Sequence, residues 1–296
     1  MKKGMLFMKI NRRRLGYMIF VLLVISHVDI TKPATSQAAD LGLISAAELN
    51  QNLSGWRVLD ARLEADFLAG HIPGAASFPW EEHTQIDKNG VPYRIMPPEK
   101  MAAALGRLGI TRQSAVAVYG DADKSWGAEG WICWMLVWLG HEGPIRLMDG
   151  GMDVWAGNRY PVEKGNTEPA IRVVEYQYAV RTAVNISAAD IQKKAGMIQL
   201  VDVRSTFEWI MGRIPGATHI PWEKFYKGDE RRPLSPSETV ALLKEKGIDP
   251  QKPIVYYCAG GIRSGYAWMV HELAGLPEAV NFEGGMEEWA RQNNLK

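Results

Sequence analysis

The sequence predicts an α/β protein built from two similar domains in tandem, each with a mostly parallel central sheet flanked by helices. Three observations predict this fold class. A chain of 296 residues is long enough for two ordinary domains. One series of motifs occurs twice, and within each copy short apolar runs alternate with helical stretches. In such sheets ligands bind beyond the carboxyl ends of the strands.

The internal repeat extends over most of the chain. The matched segments are 44–49 with 186–191, 59–62 with 201–204, 70–75 with 212–217, and 149–155 with 283–289. The offset between the copies shrinks from 142 to 134 along the chain, as small loop deletions would produce. A period of this length indicates a duplicated domain rather than a solenoid repeat.

The elements of each copy follow from local patterns. Ser45 and Ser187 each precede a helical stretch with an acidic residue three positions later, which resembles a capping box. Buried parallel strands are predicted at 58–59, 116–119, 199–201 and 254–257. Helices are predicted at 98–108, 238–246 and 266–273.

Residues 1–39 are interpreted as an export signal. Basic residues precede the uncharged apolar run 15–25, and Ser36-x-Ala38 resembles a small-residue cleavage site. The sequence therefore predicts a periplasmic or secreted protein, with an uncleaved membrane anchor as the alternative. The predicted organisation is an export signal at 1–39, an inactive domain at 40–162, a linker at 163–182 and a catalytic domain at 183–296.

Composition excludes several classes of protein. Apolar residues make up 47% of the chain and charged residues 23%, which argues against disorder and against a polytopic membrane protein. The formal charge of +1 gives no sign of a nucleic-acid surface, and no membrane contact is expected once the signal is removed. That removal takes away seven basic residues and one acidic residue, which leaves a net charge of −5. Two cysteines exclude a disulfide scaffold and a four-cysteine zinc site.

The candidate chemistry lies in a single loop. Cys258 stands where a predicted strand gives way to a predicted helix, and it is followed by Gly260, Gly261 and Arg263. The glycines allow several backbone N–H groups to point inward, and the helix N-terminus and the arginine favour an anion. The same features favour a nucleophilic thiolate. Cys133 lies in an apolar helical stretch and is predicted to be a core residue.

These motifs resemble the rhodanese (sulfurtransferase) family in its tandem two-domain form, over about residues 41–296. The resemblance rests on 202–204 (DVR), Glu208, 212–217 (GRIPGA), Cys258-x-x-Gly261-x-Arg263 and 284–289 (GGMEEW). It implies that Cys258 takes sulfur from a small-molecule donor such as thiosulfate, holds it as a persulfide, and passes it to cyanide, a thiol or a protein thiol. It implies no metal and no organic cofactor. The implied substrate-binding residues are Ala259, Gly260, Gly261, Ile262, Arg263 and Ser264.

Two features of the loop bear on the alternatives. Thiol phosphatases have five residues between cysteine and arginine, whereas four separate Cys258 from Arg263, which disfavours a phosphatase. Mercaptopyruvate sulfurtransferases resemble one another in a second arginine four positions after the Asp-x-Arg arginine, and Glu208 stands there. Thiosulfate is therefore the expected donor, with 3-mercaptopyruvate as the alternative. A non-enzymatic sulfur-carrier module stays open.

The first copy lacks the cysteine. At an offset of 137, Cys258 aligns with Asp121 and Arg263 with Trp126. An aspartate cannot carry a persulfide, so the first domain is predicted to be catalytically inactive. It is expected to support the second domain and to form part of the cleft wall. Asp202 and Arg204 are expected to be structural.

Overall fold

The protein is represented by a computed structural model that describes residues 39–166 and 171–294. The predicted export segment, apart from its last residue, lies outside these ranges and stays a prediction. Across the described ranges, every helix is too short or too polar to cross a lipid bilayer.

The first half of the described chain builds a five-stranded parallel sheet. The strands of the first half, of the sheet and of a hairpin together, are β1 (Leu41–Ile44), β2 (Arg57–Asp60), β3 (Ala76–Ser77), β4 (Thr84–Gln85), β5 (Arg94–Ile95), β6 (Val116–Tyr119) and β7 (Ile145–Met148). Its helices are α1 (Ala46–Gln51), α2 (Glu64–Ala69), α3 (Pro98–Arg107), α4 (Ala128–Trp138) and α5 (Gly151–Gly157). The strand order is β1-β7-β6-β2-β3, and β4 and β5 form a separate antiparallel hairpin.

The second half repeats this plan. Its strands are β8 (Gln199–Asp202), β9 (Thr218–His219), β10 (Tyr226–Lys227), β11 (Arg232–Pro233), β12 (Ile254–Tyr257) and β13 (Ala279–Phe282). Its helices are α6 (Ala188–Lys193), α7 (Thr206–Met211), α8 (Pro236–Glu245), α9 (Ile262–Leu273) and α10 (Gly285–Gln292). The parallel order is β13-β12-β8-β9, and β10 and β11 form the second antiparallel hairpin. Where the first half has β1, Asn185 makes one bridge to Asn281. The predicted fold class is confirmed.

The predicted helix starts are correct at the first two serines and need correction further on. Ser45 forms a reciprocal capping box with Glu48, whereas Ser187 accepts the Asp190 N–H without the full box. Helix α8 begins at Pro236 rather than 238, because Ser235 caps it and proline suits the first turn. Helix α9 begins at Ile262 rather than 266, because the chain turns into the helix directly after the preceding glycine.

Helices α4 and α9 join the two halves through direct backbone contact. A Cβ on Gly130 would lie 2.4 Å from the Cα of Tyr266, and a Cβ on Gly265 would lie 2.8 Å from the Cα of Trp131. Side chains from both halves merge there into one hydrophobic core. Cys133 belongs to this core and is fully buried, as predicted. The tight junction fixes the position of each half's loops relative to the other half.

An Asp-x-Arg pair closes the end of a strand in each half. In the second half the Arg204 guanidinium donates to Asp202 at 2.6 Å and to the Gly212 carbonyl at 2.6 Å. Arg62 does the same in the first half, with its Nη2 atom 2.6 Å from Asp60. Both pairs tie a strand end to the turn that follows the next helix, which confirms the predicted structural role.

Candidate functional site

Cys258 lies at the carboxyl end of β12, directly below the first turn of α9. Its sulfur accepts a hydrogen bond from the Gly261 N–H at 3.1 Å, and the Ser264 hydroxyl oxygen lies 3.5 Å away. The side chain is only 2% exposed. Gly261 has a φ of 87°, a conformation that favours glycine, and a Cβ there would lie 2.6 Å from the Glu283 carbonyl oxygen. The glycine is therefore required by both backbone angle and space.

Helix α10 and Asn281 hold the carbonyl groups of this loop. The Met286 N–H donates to the Cys258 carbonyl at 2.8 Å, and the Glu287 N–H donates to the Ala259 carbonyl at 3.1 Å. The Asn281 side-chain amide donates to the Gly261 carbonyl at 3.1 Å. Because its carbonyls are taken up in this way, the loop offers N–H groups to an anion at its centre.

Arg263 lies at the site and forms an ion pair with a carboxylate. Its guanidinium donates two hydrogen bonds of 2.7 Å to Glu208. Burial alone raises the pKa of Glu208, but the hydrogen bonds and charge of Arg263 outweigh burial and lower the pKa to about 2. Burial alone lowers the pKa of Arg263, whereas its hydrogen bonds to Glu208 and the nearby Cys258 raise the pKa above the usual range. The two side chains together add no net charge to the site.

A cavity of about 410 Å³ opens over Cys258. The first half of the chain contributes three aromatic side chains to its wall, Trp80, Tyr93 and Trp126. Tyr93 packs against the loop itself, since a Cβ on Gly260 would lie 2.4 Å from the Tyr93 Cβ. The prediction that the first half forms part of the cleft wall is confirmed.

The structure separates the predicted site residues into two groups. Those that line the cavity are Cys258, Ala259, Gly260, Ile262 and Arg263. Gly261 and Ser264 do not form the cavity wall. Gly261 lies between the sulfur and the Glu283 backbone. The Ser264 hydroxyl lies near the sulfur and donates to Asn281. Arg263 and Ser264 belong to the first turn of α9 rather than to the loop, because the helix begins earlier than predicted.

The strand registers correct the alignment of the two halves. Asp60 pairs with Tyr119 in the first sheet, and Asp202 pairs with Tyr257 in the second. Since the two aspartates are equivalent, Tyr119 is the counterpart of Tyr257 and not of Tyr256. The alignment at a single offset of 137 was wrong here, because the loops that follow these strands differ in length between the two halves.

Cys258 therefore corresponds to Gly120, not to Asp121. The chain passes from β12 to α9 in four residues but takes eight, 120–127, to pass from β6 to α4; we call these eight the long loop. Trp126 lies in the long loop, before α4, whereas Arg263 lies inside α9, so Trp126 is not the counterpart of that arginine. At the position of Cys258 the first half therefore has a glycine, which cannot carry a persulfide.

The long loop encloses almost no space. The cavity beside it measures about 20 Å³, which is about the size of one water molecule. Arg231, from the turn between β10 and β11, covers it by donating to Asp123 at 2.6 Å and to Asp153 at 3.2 Å. Burial raises the pKa of Glu129, at the start of α4, to about 7. The long loop therefore offers no thiol and almost no room for a donor.

Sequence reasoning missed Asn281, Glu283 and Tyr93. Glu283 is fully buried and lies 2.9 Å from Arg94 of the β4–β5 hairpin. A signal for it existed, because an acidic residue precedes Gly-Gly in both copies of the repeat. No comparable signal marks Asn281, and Tyr93 is brought to the cavity by tertiary packing from a distant part of the sequence.

Comparison with known proteins gives the site its family. The model of the rhodanese-like domain matches residues 45–158 and again residues 183–292. A sulfur carrier protein, TtuD of Thermus thermophilus, is 31% identical over 83% of this chain and 93% of its own. A putative thiosulfate sulfurtransferase of Haloferax volcanii is 29% identical over 82% and 88%. The 3-mercaptopyruvate sulfurtransferase of Homo sapiens is 30% identical over 78% and 80%.

The family match covers both halves and includes the loop that presents Cys258. A buried sulfur that accepts a loop N–H at the start of a helix is suited to nucleophilic attack and to holding charge on sulfur. The chain belongs to the rhodanese family, as a tandem-domain sulfurtransferase.

Proposed function

We propose that this chain transfers sulfane sulfur from thiosulfate to a thiophilic acceptor, cyanide or a thiol, through a persulfide on Cys258. The observation that carries the proposal is the hydrogen bond from the Gly261 N–H to the Cys258 sulfur at the N-terminus of α9. The Cys258 thiolate attacks the outer sulfur of thiosulfate, whose S–S bond breaks to release sulfite. The acceptor then attacks the outer sulfur of the persulfide, and Cys258 leaves as a thiolate.

Glu208 supports thiosulfate over 3-mercaptopyruvate as the donor. A carboxylate donor needs a cation for its carboxylate, and Arg263 among the lining residues is already bound by Glu208. Thiosulfate is also an anion, but it presents its outer sulfur to the loop, whose N–H groups can bind that charge without a free guanidinium. The human relative is named for 3-mercaptopyruvate, so the two donors are the ones to compare.

The decisive experiment measures thiocyanate formed from cyanide with each donor in turn. We expect Cys258→Ser to lose activity by about a thousandfold or more, as removal of a nucleophile does. Cys133→Ser is the matched control, since that thiol is buried in the core, and it should retain most of the activity. Activity in Cys258→Ser would refute the mechanism, and more efficient turnover of 3-mercaptopyruvate than of thiosulfate would refute the proposed donor.

A second candidate function is that of a sulfur carrier, which the name of the Thermus relative favours. Such a protein forms the same persulfide but passes it to one partner and turns over slowly with small acceptors. Mass spectrometry of the thiosulfate-treated protein separates the two functions. One added sulfur on Cys258 together with negligible thiocyanate formation would favour the carrier.

A further inference from the structure

The cavity over Cys258 is larger and more aromatic than the transfer of sulfur to cyanide requires. Its volume is about 410 Å³, whereas thiosulfate and cyanide are each only a few atoms in size. Beside the catalytic loop (residues 258–261), the wall is built by Trp80, Tyr93 and Trp126, all from the first half of the chain. Sulfur chemistry at Cys258 needs none of these rings.

Trp126 is the most informative of the three. It lies in the long loop, its φ is 57°, and 52% of its surface is exposed. A bulky side chain in a left-handed backbone conformation is uncommon. So large an exposed fraction shows that core packing does not explain the indole. Its ring centroid lies 5.8 Å from the Arg263 guanidinium carbon, so the long loop carries the ring to the mouth of the neighbouring active site.

The charges around the cavity narrow the choice of ligand. Glu208 and Arg263 neutralise each other, and Tyr93 is partly exposed in the wall. Apart from the N–H groups of the catalytic loop, the remaining lining residues offer flat ring faces rather than an unpaired charged side chain. Exposed rings of this kind bind another flat ring by stacking.

We propose that the physiological acceptor is a thiol that carries an aromatic ring, and that Trp126 determines its selection by stacking on that ring. This inference rests on the proposed persulfide at Cys258. The acceptor thiolate attacks the outer sulfur, a new S–S bond forms on the acceptor, and the bond to Cys258 breaks with return of the Cys258 thiolate. No oxidant or reductant is consumed, and the product is the acceptor's own persulfide.

The test compares phenylmethanethiol with 2-mercaptoethanol as acceptors of thiosulfate-derived sulfur. The ratio of their kcat/KM values in each variant cancels their intrinsic reactivity. We expect Trp126→Ala to lower this ratio about five- to tenfold, the range that stacking supplies, mainly through KM for the aromatic thiol. Trp126→Phe should restore part of the ratio. Phe207→Ala is the matched control, an exposed ring on α7 that does not line the cavity, and it should leave the ratio unchanged.

An unchanged ratio in Trp126→Ala would overturn the proposal, whether both thiols keep their activity or lose it equally. A third acceptor, 2-aminoethanethiol, tests for a cationic ligand. If Trp126→Ala impaired only that acceptor, the ring would serve a cation instead, and the aromatic acceptor would be wrong.

A binding measurement separates this inference from the proposed function. Benzyl alcohol, the unreactive hydroxyl analogue of phenylmethanethiol, is titrated into Cys258→Ser, with Cys258→Ser/Trp126→Ala as its control, by ligand-observed NMR. Binding that requires Trp126 supports the aromatic subsite even if thiosulfate fails to load Cys258, a failure that would count against the proposed function alone. Equal binding to both variants would overturn the subsite.

Discussion

The long loop and the catalytic loop occupy equivalent places in the two halves, yet they differ in length and in the size of the cavity beside them. The catalytic loop spans four residues and opens into a cavity of about 410 Å³. The long loop spans eight, and the cavity beside it measures about 20 Å³. The two halves therefore differ at this place by more than the cysteine. The long loop leaves almost no space where a donor would enter, and it places Trp126 beside the other half's site.

A hairpin from the opposite half covers each loop, so equivalent contacts of the two loops can be compared. Arg94 of the β4–β5 hairpin lies 2.9 Å from Glu283, beside the catalytic loop. Arg232 of the β10–β11 hairpin pairs in the same way with Asp149, the repeat counterpart of Glu283. In one direction the hairpin leaves a cavity open, and in the other Arg231 seals it. The same pseudo-symmetric joint therefore supports an open cavity over a cysteine on one side and a filled loop on the other.

The largest expected effect on activity comes from replacing Gly261 in the catalytic loop. We expect Gly261→Ala to reduce thiocyanate formation more than about a hundredfold, because the residue needs a φ of 87° and its Cβ would lie 2.6 Å from a backbone oxygen. The measurement is kcat/KM for thiosulfate, with a thermal melt to show that the variant is folded.

Gly228→Ala is the matched control for this prediction. Gly228 has a φ of 70°, but a Cβ there meets nothing within 4 Å. We expect a small loss of stability and near-normal activity. If both variants lost activity equally, crowding against Glu283 would not be the reason that the catalytic loop needs its glycine.

The Arg263–Glu208 pair gives a second, smaller effect. We expect Glu208→Gln to shift the donor preference, measured as the ratio of the two kcat/KM values, about tenfold from thiosulfate toward 3-mercaptopyruvate, because the guanidinium is then free to bind a carboxylate. Glutamine still satisfies the capping box with Ser205, so α7 should keep its start. Glu48→Gln, the same change at the capping box of α1, is the control and should not alter donor preference. An unchanged preference would show that the pair does not select the donor.

The sequence was sufficient for the parts of the molecule that repeat or follow local rules. The two α/β domains, the capping serines and the placement of Cys258 between β12 and α9 all rest on such patterns. The cavity wall was not predictable residue by residue, because Tyr93 reaches Gly260 through packing between halves. The alignment at Asp121 failed because apolar runs do not reveal where a loop has gained residues, whereas strand register does.

The smallest expected effect concerns the buried acid beside the long loop. Burial raises the pKa of Glu129 to about 7, and the nearby Asp121 adds to the rise, while the Ser125 hydroxyl donates to the carboxylate at 2.8 Å. Because the folded-state pKa lies above the unfolded value, the stability from this group is complete below about pH 4.5 and is lost as the pH rises through 7. Glu129→Gln should therefore raise the melting temperature by about 2–4 °C at pH 8 and leave it unchanged at pH 5. Thiocyanate formation should stay within about twofold of wild type, since Glu129 does not line the cavity over Cys258. A melting temperature that is unchanged at pH 8 would contradict the raised pKa of Glu129. A loss of sulfur transfer would show that the long loop contributes to the reaction at Cys258.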